Sequence, residues 1–157
     1  MDLVEQKLLE LLQSSIISNS QTINTIVAEA LTELKNSDFV SVTKNIPIKK
    51  FFTNLPEEIK LCRIFGLKAN TKSKIERHPN SFQRTFTYVG RGDTKILEND
   101  VWKPNIKNSL GKSISERWLS IPEGIWHQPI ALNDNWVTIT FHTAGELEII
   151  DEYEKEG

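Results

Sequence analysis

"SIPEGIWHQP", Ser120 to Pro129, is the stretch on which the fold turns. Proline, one residue, glycine, two residues and then a histidine is a costly composition for a strand that only fills a sheet. Proline fixes φ and glycine admits the left-handed region, so Pro122 and Gly124 predict a tight turn. A strand beyond it would present His127 in one defined direction. Taken alone, a single histidine on a strand reads as a satisfied structural residue. Partners elsewhere in the chain would make it part of a site.

Such partners lie upstream. Strand alternation in "SKIERH" puts Lys74, Glu76 and His78 on one face and Ile75 and Arg77 on the other. In "QRTFTYVG" it groups Gln83, Thr85, Thr87 and Val89 against Arg84, Phe86 and Tyr88. "PNSF" between them has room only for a turn, so Glu76, His78 and Gln83 converge if these faces line one cavity. Left unpaired inside, such groups would cost about 2–7 kcal/mol each. A metal ion, water or a polar ligand must satisfy them.

Further out, short apolar or alternating runs recur after Phe39: "IKLCRIFGL", "TKILEN", "SERWLSIP", "WVTITFHT" and "ELEIIDEY". Turn residues in "GRGD", "SLGK", "PEG", "NDN" and "TAGE" separate them. Strands at this spacing, without helices between them, predict an antiparallel sandwich or barrel. The first 36 residues are instead helical in period. Leu8, Leu11, Leu12 and Ile16 mark one stripe, and Ile23, Ile26, Val27, Ala30, Leu31 and Leu34 a second. "SNSQ" separates the two helices, with Ser20 predicted as N-cap of the second, and "KNSD" ends it. The expected organisation is a two-helix extension over 1–36 and a barrel over 37–157. The closing "EYEKEG" reads as a frayed, charged tail.

Composition narrows the function classes. A chain of 157 residues with 19 basic and 21 acidic side chains, net −2, has no electrostatic footprint for nucleic acid or an anionic membrane. The single cysteine, Cys62, sits in an apolar run and reads as a buried structural thiol. "MDLVEQKLLELLQ" is acidic and amphipathic, unlike a secretory signal, and no apolar run approaches the ~18 residues of a membrane span. The expected location is cytoplasmic. "RGD", Arg91 to Asp93, reads as the turn after Gly90 rather than an adhesion motif. Trp102, Trp118, Trp126 and Trp136, placed singly on separate strands, read as core or rim packing.

The spacing Pro122-x-Gly124-x2-His127 resembles the second motif of the cupin superfamily. Its first motif runs His-x-His, three or four residues, Glu, six residues, Gly; here Glu76, His78, Gln83 and Gly90 occupy those slots. The resemblance covers roughly residues 59–153. Four identities depart from the pattern: Glu76 replaces a histidine, Gln83 a glutamate, Glu116 a glycine and Ala131 an asparagine. A glutamine in the glutamate slot is seen in some small metal-binding cupins, including the one that linearises unsaturated uronates. The resemblance implies an all-β fold, an antiparallel double-stranded β-helix (jelly-roll) like the small RmlC-like cupins, assembled as a homodimer. It also implies a divalent metal ion, Fe, Zn, Ni or Mn, held by Glu76, His78, Gln83 and His127. One slot has gained a carboxylate and another has lost one, so the formal charge of the set is unchanged. His142 and Lys74 are the candidate contacts to a small-molecule ligand. His142 shares strand parity with Trp136, Thr138 and Thr140, against apolar Val137, Ile139 and Phe141, and sequence leaves open which face looks inward.

Three functions remain compatible with these residues. The first is a metal-dependent enzyme, an isomerase, lyase or dioxygenase, acting on a small polar molecule such as a sugar or carboxylate. The second is a metal-free epimerase or isomerase, for which the family's tyrosine acid is wanting: Tyr88 has the wrong parity and Tyr153 falls in the tail. The third is a non-catalytic binding or sensor module whose helical hairpin docks a partner.

Overall fold

The structure, a computed structural model, describes residues 2–52 and 54–155, with the side chain of Phe51 left out. Two helices open the chain, α1 (Leu3–Ser18) and α2 (Ser20–Asn36). Asp2 caps the first, its carboxylate accepting from Glu5 N at 2.7 Å. The second starts without the expected Ser20 cap. Asn19 holds the N-cap position, and its side-chain amide donates back to Ser15 O, closing the first helix instead of opening the second. Leu9, Leu12 and Ile16 form the buried stripe of α1, whereas Leu11, expected in it, faces solvent. On α2 the buried stripe is Ile23, Val27, Ala30 and Leu34.

Among the described residues eleven strands follow: β1 (Ser41–Ile46), β2 (Leu61–Leu67), β3 (Glu76–Arg77), β4 (Gln83–Val89), β5 (Arg91–Glu98), β6 (Val101–Lys103), β7 (Ile106–Asn108), β8 (Trp118–Ile121), β9 (His127–Ala131), β10 (Trp136–His142) and β11 (Glu152–Tyr153). They form two antiparallel sheets, ordered β1-β2-β10-β4-β8 and β11-β3-β9-β5-β6, with β7 also paired to β5. This is the antiparallel double-sheet barrel that the strand pattern predicts and the jelly roll that the resemblance implies. Two single helical turns interrupt the predicted all-strand region, α3 (Ile48–Phe51) and α4 (Ile114–Arg117). The second explains one departure from the motif. Glu116 closes a capping box with Ser113, its carboxylate accepting from the backbone N–H of Ser113 and Lys112.

Three other expectations need correction. "RGD" is the start of strand β5 and not a turn, because Gly90 alone, at φ +81°, joins β4 to β5. The tail is not frayed over its described part: Glu152 and Tyr153 pair with Arg77 and Glu76. Glu156 and Gly157, the end of that tail, lie outside the described residues. Val89 leaves the face it was assigned to. The β4–β10 register slips between Val137 and Thr138, a bulge that turns Val89 to the outer side.

The main hydrophobic core lies outside the barrel. Leu9, Leu12, Ile16, Ile23, Val27 and Ala30 of the helices pack against Cys62, Ile64, Phe86, Trp118, Val137, Ile139 and Phe141 of the five-stranded sheet. The outward residues of that sheet are therefore its apolar ones. Polar contacts tie the same interface: Glu5 of α1 meets Arg84 at 3.2 Å and accepts from Ser120 Oγ, while Tyr88 donates to Asn24. Burial pushes the Cys62 thiol well above its ordinary range, consistent with a structural role. The inward residues of the sheet are freed from core duty.

Candidate functional site

Alternation then delivers the inward set to one cavity of about 640 Å³ between the sheets. Arg63 and Phe65 come from β2, Gln83 and Thr85 from β4, Thr94 from β5, and Trp136, Thr138, Thr140 and His142 from β10. Lys74, Glu76 and His78 line it from β3 and its flanks. The question left open for β10 is answered: its polar face looks inward, because the helices claim the apolar one.

The two motifs are physically joined. Gly124, at φ +74°, donates its N–H to the carbonyl of His78 at 3.0 Å. Its turn is followed by β9, whose His127 pairs in register with Glu76 on β3. The rings of His78 and His127 stand 5.5 Å apart, both almost fully buried.

Each imidazole is oriented from behind. His127 Nδ1 donates to Ile125 O at 3.0 Å. His78 Nδ1 lies 2.9 Å from Asp151 Oδ1 and 3.4 Å from Ile150 O. With Nδ1 engaged on each ring, both Nε2 atoms are turned to the Glu76 carboxylate, at 3.4 Å from His127 and 4.0 Å from His78. Glu76, His78 and His127 offer donor atoms within 4.8 Å of one another, a group that could hold a metal ion. His127 Nε2, on the six-stranded sheet, is buried without a hydrogen-bond partner, and so is Gln83 Oε1, which lines the cavity from the five-stranded sheet. Buried polar atoms without partners on two walls of one site call for a bound ion or polar ligand.

Electrostatics agree with a poised cation site. Burial alone would raise the Glu76 carboxyl, but contact with His127 and the charges of His78 and Arg63 outweigh it, and the carboxyl titrates below the ordinary range. Burial lowers His78, helped by His127 and opposed by Glu76 and Asp151. His142 falls well below an ordinary histidine, first through burial and then through His78, Arg63 and His127. Both are neutral imidazoles at pH 7. His142 stands edge-on to His78, ring centres 5.0 Å apart, with Nδ1 3.1 Å from Ser81 Oγ. Lys74 reaches over the ring of Tyr153, 5.5 Å from its centre.

Every sequence-predicted site residue thus borders the cavity or its donor group. Three others were missed. Arg63 is the single charge in the apolar run "LCRIFGL", a signal that was present but unread. Asp151 lies in the run "ELEIIDEY" and Tyr153 in the segment taken for a tail, and both line the cavity where β11 pairs with β3. The tryptophans divide: Trp118 is in the outer core, Trp136 lines the cavity and donates to Thr87, Trp126 stacks on Arg77, and Trp102 is partly exposed on β6.

No protein-family model matches the chain, and no curated protein matches it in sequence. Solved structures do match in fold. An oxalate oxidase in complex with the substrate analogue glycolate aligns at TM-score 0.56 and 9% identity, over 73% of this chain and 56% of that one. An oxalate decarboxylase–formate complex from Lactobacillus farciminis gives 0.56 and 10%, over 73% and 32%. A recombinant pro-11S globulin of pumpkin gives 0.58 and 13%, over 74% and 29%. The chain spans about half the length of the first and about a third of the other two. All are cupin-fold proteins, and the fold of this chain is the cupin jelly roll.

Proposed function

We propose that the barrel cavity holds a divalent metal ion on Glu76, His78 and His127, with the Gln83 amide oxygen beside them. There the protein binds or transforms a small polar molecule, a sugar or a carboxylate. The observation that carries this reading is the orientation of the two histidines. Their Nδ1 atoms are engaged from behind, leaving both Nε2 lone pairs against one carboxylate, and Gln83 Oε1 is buried with nothing to accept from. Two imidazoles, a carboxylate and an amide oxygen suit iron, zinc, nickel or manganese. Such an ion would supply Lewis acidity, polarising a carbonyl or hydroxyl.

The remaining roles belong to the chain itself. Asp151 fixes the tautomer of His78. His142, neutral and beside His78, can accept a proton from a bound molecule, while Lys74 offers a cationic contact on the cavity wall. The proposal treats 1–36 as an extension built onto a barrel over 37–157, and the assembly as a homodimer, which sedimentation would check.

A metal-free reading gains one observation. Tyr153 lines the cavity opposite Glu76, and burial together with Glu76 and Asp151 raises its phenol, keeping it a proton donor. Elemental analysis of the purified protein separates the two. Near-stoichiometric metal that is lost in His127→Ala, with unchanged circular dichroism, supports the ion. A folded wild type that binds no divalent ion in titration rejects it.

A further inference from the structure

The cavity contains one strong donor that the metal centre does not use. Arg63 projects into it from β2, between Asn45 of β1 and Thr140 of β10. Its Nε is buried and has no hydrogen-bond partner. Its Nη1 lies 3.7 Å from Asp151 Oδ1, beyond hydrogen-bond distance, and that oxygen is already engaged by His78 Nδ1 at 2.9 Å. The guanidinium therefore stands one carboxylate oxygen away from the His78 ring, with a donor edge unspent.

The surrounding charge has the sign to match. Arg63, Lys72 and Lys74 line the cavity against Glu76 and Asp151, a cationic excess inside a chain of net charge −2. The neutral lining includes several hydroxyls, among them Thr43, Thr85 and Thr140, which offer hydrogen bonds without competing charge. A buried guanidinium N–H without an acceptor is costly, and its planar fork fits a carboxylate edge-on with two parallel hydrogen bonds.

We propose that Arg63 anchors the carboxylate of the molecule bound in the barrel, so that the ligand class is a small carboxylate and not an uncharged sugar. This rests on the reading of the cavity as the ligand site, and deepens it, but does not require the ion to be bound. A ligand held by Arg63 would lie with its adjoining carbon toward His78 and the donor group.

The test uses lactate as probe, its uncharged amide lactamide as control, and inorganic phosphate as a rival anion. Binding to the full-length protein is followed by calorimetry and by the Arg63 Nε–H resonance, in EDTA-stripped and in zinc-loaded samples. Lactate should move that resonance and lactamide should not, and Arg63→Gln should weaken lactate by about tenfold or more. Arg63→Lys should recover part of the loss, since it keeps the charge without the fork. If Arg63→Gln does not fold, the resonance in the wild type decides. Equal binding of lactamide, tighter binding of phosphate, no shift of the resonance, or lactate affinity unchanged in Arg63→Gln would each overturn the assignment. Zinc uptake is read separately, so a protein that binds lactate through Arg63 but no zinc would reject the metal centre and leave the anchor standing.

Discussion

Exchanging the two unusual donors gives the most decisive experiment. Glu76 is the only carboxylate in the triad, 3.4 Å from His127 Nε2 and 4.0 Å from His78 Nε2. At about 4 Å and an effective dielectric near 20, a unit charge pair is worth about 4 kcal/mol, or about three decades in a binding constant. Glu76→Gln forfeits that attraction but keeps a carbonyl donor, so zinc affinity should fall by roughly 10²–10³-fold. Gln83→Glu works the other way. It places a carboxylate where a buried amide oxygen now lacks a partner, and zinc should bind as tightly as in the wild type or tighter. Without metal the same change puts a second carboxylate into the cavity that Glu76 lines, raising a carboxyl pKa and costing about 2–4 kcal/mol. For a chain of this size that is a fall of about 4–15 °C in Tm. Chelator-competition titrations and thermal melts, with and without zinc, read both arms. A Gln83→Glu protein that melts early and is not rescued by zinc would refute the charge-exchange reasoning.

Asp151→Asn should weaken metal binding by about 10–100-fold through loss of the His78 tautomer lock, with Tm of the stripped protein little changed; an unaltered titration would remove its orienting role. Stability of the stripped protein should be flat above pH 6.5 and decline below it. The unfolded chain protonates His142 and His78 near their ordinary value of 6.5, which burial prevents in the native state. Each contributes up to about 1.4 kcal/mol per pH unit. Urea midpoints from pH 7.5 to 5 measure this slope, and His142→Gln should reduce it; an identical slope contradicts a buried neutral His142. Leu12→Ala, in the helix–sheet core and fully buried, should cost about 2–5 kcal/mol in urea unfolding. A change below 0.5 kcal/mol would mean, on the surface-substitution scale, that the helices only decorate the barrel.

Much of this was legible from alternation alone. Two-residue periodicity turned Glu76 and His78 from one sheet and Gln83 and Thr85 from the other into one cavity, and the Pro122–Gly124 turn set His127 beside Glu76. The orientation of β10 was not legible, for a physical reason. Apolar residues usually point into a barrel, yet here Val137, Ile139 and Phe141 point out because α1 and α2 cover them. Sequence shows two faces of one strand but not which has a neighbour. The run "ELEIIDEY" reads as a strand throughout, but only Glu152 and Tyr153 form one, through pairing with Arg77 and Glu76. The β4 bulge was invisible likewise, being a property of the pair of strands and not of either run. Arg63 differs: its isolation in an apolar run was readable, and only the habit of reading such runs as core concealed it.

The placement of the core outside the barrel has a consequence for how this protein can change. Residues that keep it folded and residues that meet a ligand occupy opposite sides of the same strands, at alternate positions. A substitution at Thr85, Thr138 or Thr140 faces the cavity, not Ile64 or Phe141 on the other side of the sheet. Inner-wall variants should therefore combine with helix-side variants almost additively, as separated sites do. A library built over the even positions of β10 and the odd positions of β2 and β4 would sample new specificities while drawing little on the stability held by the other face.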